Sequence, residues 1–165
     1  KPEYQSIIIY WYNKYMTKTK HPLTQEEFYD IFHKVPRLTV EILIINNKKQ
    51  VLLTKRSIEP CKNYWHLPGG TVHYGESLKN AVIRIAKQEI NLSISDSVNV
   101  GYIEYPSHFN KKLGYPVGII FMVTKYSGEI KLNDEALDYK WFDKLPTLMH
   151  PDQDVYLVNN MYLKA

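Results

Sequence analysis

The sequence lacks the features that mark several classes of protein. A single cysteine, Cys61, among 165 residues excludes a disulfide scaffold and a metal site built on paired cysteines. No apolar run reaches the ~18–20 residues that a membrane span requires. The nearest run, residues 7–12, is short and has no signal-peptide cleavage site. We therefore expect a cytoplasmic chain with no membrane partner.

Arginine is also scarce. Only three of the 21 basic residues are arginines, at Arg37, Arg56 and Arg84. The net charge is +4, and the positive charges are spread along the chain instead of forming the basic stripe of a nucleic-acid-binding protein. A chain that uses few arginines is expected to keep them where a planar fork of donors matters, at carboxylates or phosphates. No nucleic-acid partner is expected.

The composition, with 44% hydrophobic and 23% charged residues, is that of an ordinary globular domain. Tyrosine is abundant, and many of the 14 tyrosines lie near the start of the chain. We divide the sequence into an aromatic-rich N-terminal segment, residues 1–22, and one domain, residues 23–165. An exposed apolar surface in the first segment would indicate a homodimer interface.

The pattern of apolar residues predicts an α/β fold. Thr24 and Glu27 have the spacing of a capping box, which predicts a helix over residues 25–34 that Pro36 ends. Strands are predicted over residues 38–45 and 50–55, joined by a hairpin turn, and over 64–67, 98–105, 116–126 and 139–142; further helices are predicted over 77–90 and 151–163. Strands interrupted by helices indicate a mixed sheet with helices on its faces.

The helix predicted over residues 77–90 carries a carboxylate in an unusual place. Leu78, Ala81, Val82 and Ile85 form one apolar stripe, and Glu89 falls close to its centre. A carboxylate facing a core is costly unless it is paired or binds a metal. The alternative is a helix end at which Glu89 turns to water.

These residues resemble the Nudix box. The box is a glycine, five residues, a glutamate, seven residues, and then arginine-glutamate-aliphatic-x-glutamate-glutamate-x-glycine-aliphatic. The flanking Lys55-Arg56, Pro68-Gly69-Gly70 and Tyr-x-Trp elements are similar to the family too, so the resemblance covers residues 38–148. The matching box positions are Gly70, Glu76, Arg84, Ala86, Glu89 and Leu92.

The resemblance implies a Nudix-type α/β/α sandwich with a mixed β-sheet and a small-molecule nucleotide substrate. It also implies Mg²⁺, or Mn²⁺, held by helix glutamates and by the carbonyl of the glycine that precedes the box. Gly69 and Glu89 would supply those ligands here. Arg84 is the box arginine, and Glu76 would pair with it or lie near the metal.

The sequence departs from the box at three positions. Ile85 and Gln88 stand where the family has glutamates, and Asn91 stands where it has glycine. With two of three helix carboxylates absent, the resemblance implies a site for one Mg²⁺ rather than several.

One branch of the family, the GDP-mannose mannosyl hydrolases, is similar in lacking both glutamates. In that branch water attacks the sugar carbon and GDP leaves intact. Its arginine after the two glycines is Thr71 here, and its metal-ligand glutamine and catalytic histidine align with Glu135 and Ala136. Glu135 could ligate metal or act as a base.

For several other residues, two interpretations are open. Arg56 would contact phosphate or be an ordinary surface arginine, and we place it with Arg84 and Glu135 among the catalytic candidates. His108 would replace the missing base or be a bystander. Trp65 and Tyr102 would stack on a base or belong to the core.

Three functions are consistent with the sequence. The favoured one is Mg²⁺-dependent hydrolysis of a nucleoside-diphosphate compound, with a GDP-mannose-like nucleotide sugar first. The second is phosphoanhydride cleavage of ADP-ribose or a nucleoside triphosphate, with Glu89 and Glu135 sharing the metal. The third is a catalytically inactive Nudix fold that binds a nucleotide or a protein.

Overall fold

The computed structural model describes residues 23–59, 61–109 and 114–165. The segment 1–22 and the interface expected on it lie outside the described residues. None of the described helices is long and apolar enough to cross a bilayer. The elements in chain order are α1 (Gln25–Phe32), β1 (Arg37–Ile44), β2 (Val51–Arg56), β3 (Trp65–His66), β4 (Gly69–Thr71), α2 (Leu78–Ile90), β5 (Ser93–Glu104), a short 3₁₀ helix (Pro106–His108), β6 (Pro116–Ser127), β7 (Ala136–Phe142) and α3 (Pro151–Asn159).

The described strands form two sheets. One has four strands in the order β4-β1-β6-β5, and the other has three in the order β3-β2-β7. The first sheet is mixed, because β1 and β6 run parallel while its other pairs run antiparallel. All pairs in the second sheet are antiparallel.

Strand β1 lies at the centre of the fold and is buried from Thr39 to Ile44. Ile42 belongs to a hydrophobic cluster with the inner face of α2, whereas Leu43 belongs to a second cluster with Leu157 of α3. Successive side chains of a strand point to opposite faces, so the two helices cover opposite faces of this sheet. The predicted α/β sandwich is confirmed.

The prediction that the first two strands form a hairpin is wrong. The chain does reverse at residues 46–49, where Asn46 Oδ1 accepts hydrogen bonds from the backbone of Lys48 and Gln50. However, only one bridge, between Ile45 and Val51, joins β1 to β2. Both edges of β1 are already paired, with β4 and with β6, so β2 joins the second sheet.

The ends of helices α1 and α2 follow their sequence signals. The predicted capping box is present, with Thr24 and Glu27 bonded reciprocally. Helix α2 begins after the N-cap Ser77 and ends before the C-cap Asn91, which has φ 58°. This is the left-handed conformation that glycine adopts most readily and asparagine tolerates. Asn91 therefore performs the conformational task of the family's glycine, and this departure from the box leaves the helix end intact.

Several other boundaries differ from the prediction, including the ends of α1 and α3 and the starts of β5 and β7. Helix α3 ends at Asn159 instead of continuing to residue 163, and Met161 just beyond it has φ 58°. Leu163 still packs in the core after this turn. Strand β4 was not predicted, because its glycines carry no apolar pattern; its pairing with β1 brings Gly69 opposite Glu41.

Candidate functional site

A cleft of about 330 Å³ lies at the side of the mixed sheet, a size suited to a small-molecule ligand. Strand β1 provides one wall through alternate residues, which share a face of the strand. Strand β4, helix α2, the loop before β7 and the start of α3 provide the others. The polar and charged residues that line it are Arg37, Thr39, Glu41, Arg56, His66, Thr71, His73, Arg84, Glu89, Tyr105, His108, Glu135, His150 and Gln153.

Glu89, the carboxylate predicted to face the core, lines this cleft. Its Oε2 accepts a hydrogen bond of 3.1 Å from the backbone N–H of Gly69. Burial raises the pKa of Glu89 to about 8, and the neighbouring charges of Glu135 and Glu41 also raise it. Helix α2 therefore holds its one carboxylate against β4 and beside Glu41 and Glu135. Ionisation of Glu89 is unfavourable there unless a cation is bound.

Glu135 reaches the same cleft from the loop between β6 and β7. Ser57 fixes this loop: its backbone N–H donates to the Glu135 carbonyl at 2.9 Å, and its hydroxyl donates to the Asp134 carbonyl at 2.6 Å. The side chain of Glu135 is exposed and lines the cleft. Residues 46 positions apart in the sequence thus place their carboxylates in one site.

Arg84 and Glu76 form the ion pair expected of them. Arg84 Nε and Nη2 donate to the two carboxylate oxygens of Glu76, both at 2.7 Å. Arg84 Nη2 also donates to the Thr71 carbonyl at 2.9 Å, and Nη1 to Gln88 Oε1 at 3.0 Å. The guanidinium is engaged with four protein oxygens, so its geometry is that of a clamp between α2 and β4.

The Glu76 carboxylate is buried and fully engaged in the ion pair with Arg84. Burial would raise its pKa, but hydrogen bonds from Arg84 and from the backbone of His73, together with the Arg84 charge, outweigh burial and lower the pKa. The side chain is 2% exposed and both of its oxygens bond to Arg84. The sequence left Glu76 either paired with Arg84 or near a metal, and the geometry favours the pair.

The two residues that replace box glutamates take unrelated positions. Ile85 is buried in the core cluster beneath Gly70. Gln88 is exposed and accepts a hydrogen bond from Arg84. Neither adds negative charge to the cleft, which leaves Glu89 as the carboxylate that α2 contributes to it.

Sequence reasoning missed Glu41. This residue is 6% exposed in the middle of β1, and Thr39 Oγ1 donates to its Oε1 at 2.9 Å. Burial raises the pKa of Glu41 to about 7, against the lowering effect of hydrogen bonds from Thr39 and Tyr105 and of the charges of Arg37 and Arg56. A charged residue inside a strand buried on both faces was the available signal, since such strands are normally apolar throughout.

A chain of buried hydrogen bonds supports Glu41. Tyr105 contacts Glu41, and the Tyr105 hydroxyl accepts a bond of 2.9 Å from Gln153 Nε2. Gln153 Oε1 in turn accepts the backbone N–H of Leu67 at 2.7 Å. Because networks of this kind are costly when partly broken, they fix the position of the carboxylate they surround.

Two glycines leave the space that Glu41 occupies. A Cβ on Gly69 would lie 2.0 Å from Glu41 Oε2, and a Cβ on Gly118 would lie 2.8 Å from Glu41 Oε1. Gly69 and Gly118 belong to β4 and β6, the neighbours of β1 on either side. Glycine at these positions therefore makes room for a carboxylate between paired strands.

We expect Gly118→Ala to destabilise the fold by about 1–3 kcal/mol, the cost of an added methyl group in a packed interior. In a Glu41→Ala background the same substitution should cost less, because the nearest atoms it meets belong to Glu41. Urea unfolding of the two single variants and the double variant measures this coupling. Additive effects would show that Gly118 is required for another reason.

The three arginines of the chain all line the cleft. Arg37 Nη1 donates to Thr71 Oγ1 at 3.0 Å, and the guanidinium lies 5.6 Å from the ring centre of Phe28. Its buried Nε has no hydrogen-bond partner among the residues that the structure describes. Burial lowers the pKa of Arg37. The charge of Arg56 is close enough to lower the pKa of both Glu41 and Glu89.

The other sequence candidates separate into two groups. His108 is buried and lines the cleft. Trp65 belongs to the core, where its ring meets Phe142 edge-on at 4.8 Å between centroids. Tyr102 is 61% exposed and is not a lining residue of the cleft. The stacking interpretation is therefore wrong for Trp65, and Tyr102 lies elsewhere on the surface.

Known proteins share this fold. The family model for the NUDIX domain matches residues 35–155. The crystal structure of a MutT NUDIX hydrolase from Burkholderia pseudomallei is 26% identical, covers 73% of this chain and 95% of its own, and superposes with a TM-score of 0.66.

Two curated relatives differ in how much of each chain they match. An ADP-ribose pyrophosphatase of Methanocaldococcus jannaschii is 34% identical over 107 residues, which are 64% of this chain and 62% of the relative. The low-salt glycan biosynthesis protein Agl8 of Haloferax volcanii is 27% identical over 139 residues, 82% of this chain and 88% of the relative. The chain thus matches less than two thirds of the length of the first relative.

Proposed function

The chain belongs to the Nudix hydrolase family, and from that membership we propose that it is a divalent-metal-dependent hydrolase of a nucleoside-diphosphate-linked compound. The observation that carries the proposal is the cleft itself. Three carboxylates, Glu41, Glu89 and Glu135, share it with Arg37 and Arg56. A diphosphate together with a cation complements both kinds of charge.

The donor set fits Mg²⁺ or Mn²⁺. Glu89 and Glu135 offer hard carboxylate oxygens, and the backbone carbonyl of Gly69 is the third candidate. The raised pKa of Glu89 supports this assignment, because a cation would relieve the repulsion from Glu135 and Glu41 that disfavours its ionised form. The ion would neutralise the substrate phosphates and make the leaving group better.

The remaining residues take the roles that their contacts allow. Arg56 and Arg37 bind the diphosphate, since both are cationic groups that line the cleft. Glu41 or Glu135 accepts a proton from the attacking water. Arg84 is a positioning residue, because its guanidinium holds Glu76 and the Thr71 carbonyl and so fixes β4 relative to α2.

ADP-ribose is the first substrate to test. The pyrophosphatase activity in the name of the Methanocaldococcus jannaschii relative supports phosphoanhydride cleavage. In that reaction the water oxygen bonds to phosphorus and the bridging P–O bond breaks. For ADP-ribose the products are AMP and ribose 5-phosphate. This is the reading that the sequence placed second, after a nucleotide sugar.

A nucleotide sugar remains the second candidate for two reasons. Agl8 of Haloferax volcanii, which this chain matches over 88% of its length, has glycan biosynthesis in its name. In addition, Ile85 and Gln88 replace the two helix glutamates, as in the mannosyl hydrolase branch. In this reaction the water oxygen bonds to the sugar carbon, the C–O bond breaks, and the nucleoside diphosphate leaves intact.

Phosphorus NMR in ¹⁸O-enriched water separates the two reactions. The chain is incubated with Mg²⁺ and either ADP-ribose or GDP-mannose. We expect two monophosphate products from ADP-ribose, with ¹⁸O in one of them and no product in EDTA. An unlabelled nucleoside diphosphate from GDP-mannose would instead establish attack on carbon. Nucleotide binding without turnover of either compound would support the inactive binding module.

A further inference from the structure

A second cluster of metal-ligating side chains lies beside the carboxylates. Within the described ranges, Cys61, His108 and His150 bring one ligand atom each to within 4.8 Å of one another. The two imidazoles are buried, and their Nε2 atoms are 2.9 Å apart. Cys61 comes from the loop between β2 and β3, His108 from the 3₁₀ helix, and His150 from the N-cap of α3.

We propose that Cys61, His108 and His150 bind one Zn²⁺ ion at a site separate from the carboxylates. A thiolate and two imidazoles are the ligands that Zn²⁺ prefers, and they are poor ligands for Mg²⁺, which selects oxygen. The cleft thus has an oxygen-rich group around Glu89 and, beside it, the two imidazoles of His108 and His150, with Cys61 next to them. The two sets would sort divalent ions by ligand type.

The spacing of the two histidines suits one ion. Zn–N bonds of 2.0–2.1 Å in a tetrahedral site place the two nitrogens about 3.3 Å apart. The Nε2 atoms therefore need to separate by only a few tenths of an ångström from their 2.9 Å contact. Because both histidines line the cleft, solvent or a ligand there can provide the fourth ligand.

The surroundings of His150 also suit a metal ligand. The Asp152 carboxylate lies 3.9 Å from His150 Nδ1, on the side of the ring opposite the proposed ion. Ser107 fixes that carboxylate through its hydroxyl and through its backbone N–H at 3.3 Å. His150 Nδ1 also accepts the backbone N–H of Asp152 at 3.3 Å, and this contact orients the ring. With an ion on Nε2, the ring proton would lie on Nδ1 and face the Asp152 carboxylate.

The ion would join three segments that are distant in sequence. His108 and His150 are 42 positions apart, and Cys61 precedes both. A ligand that binds only the folded chain raises the free energy of unfolding in proportion to the logarithm of its concentration. Zn²⁺ should therefore stabilise the fold, independently of hydrolysis.

Cobalt substitution tests the site in the full chain. The chain is freed of metal with EDTA, desalted, and titrated with Co²⁺ in excess Mg²⁺. We expect one Co²⁺ per chain with thiolate-to-cobalt charge-transfer absorption in the near ultraviolet, which Zn²⁺ then removes. Cys61→Ser should abolish that absorption, lower Zn²⁺ affinity at least tenfold in a chelator competition, and remove the rise in Tm with Zn²⁺.

Three further variants make the outcome decisive. His150→Asn should also lose Zn²⁺, while asparagine can still cap α3. His33→Asn, an exposed histidine at the end of α1, should bind Zn²⁺ as the native chain does. Glu89→Gln should retain the zinc site even if it abolishes hydrolysis. Absence of the charge-transfer band in the native chain, or Zn²⁺ affinity unchanged in Cys61→Ser, would overturn the proposal.

Discussion

Glu89→Gln should lower metal-dependent hydrolysis by at least about 100-fold, because the proposed site loses the only carboxylate that α2 contributes to the cleft. The change is nearly isosteric, and a glutamine oxygen can still accept the Gly69 N–H at the position of Glu89 Oε2. We therefore expect the fold to be retained. Steady-state rates with ADP-ribose across a range of Mg²⁺ concentrations measure the loss.

The same variant should be more stable than the native chain when no metal is present. Burial raises the pKa of Glu89 from 4.5 to about 8, so the folded state holds the proton more tightly than the unfolded state does. The free energy of unfolding of the native chain should accordingly fall as the pH rises from about 4.5 to about 8. In EDTA at pH 8, the free energy of unfolding of Glu89→Gln should be higher than that of the native chain by at least ~1 kcal/mol.

The matched control is Glu129→Gln, which removes one negative charge from an exposed residue after β6. It should change neither the rate of hydrolysis nor the pH dependence of the free energy of unfolding. Native activity in Glu89→Gln would remove Glu89 from the metal site. Equal stability of that variant and the native chain at pH 8 would show that the carboxylate is not held unfavourably.

Arg84→Ala should destabilise the chain by about 2–4 kcal/mol, somewhat less than when a fully buried ion pair loses one partner, because the Arg84 side chain is 20% exposed. The Glu76 side chain is 2% exposed, and among the described residues the N–H of His73 at 3.0 Å is the hydrogen bond that it keeps without Arg84. Adding Glu76→Gln should recover part of the loss, since the charge left behind is then removed. Urea unfolding of the two single variants and the double variant gives the coupling.

The pH dependence gives an independent check on the pair. The pKa of Glu76 is lowered from 4.5 in the folded chain, so its stabilisation is present above about pH 4.5 and is lost as the pH falls through the folded pKa. The difference in stability between the native chain and Glu76→Gln should shrink in acid. Arg84→Lys should recover less than half of the stability that Arg84→Ala loses, because an ammonium cannot form the bidentate contact of a guanidinium.

The sequence predicts the order of the elements apart from β4, and it predicts the position of α2. The capping box at Thr24, the apolar stripe before Glu89 and the β-branched strands are local patterns, and local sterics and periodicity decide such features. The Arg84–Glu76 pair was also predictable, because the two positions belong to one motif. The resemblance to the Nudix box implies that Glu89 and Gly69 lie together, and in the structure the Gly69 N–H donates to Glu89.

The pairing of strands and the composition of the cleft were decided by the tertiary structure. β1 and β2 look like a hairpin in sequence, but β4 and β6 compete for the edges of β1 and occupy both. Glu41 is recognisable as a site residue only when Gly69 and Gly118 flank it from two other strands. Cys61, His108 and His150 have no motif in common. Contacts between residues distant in sequence depend on how whole elements pack, and a local pattern carries no record of that packing.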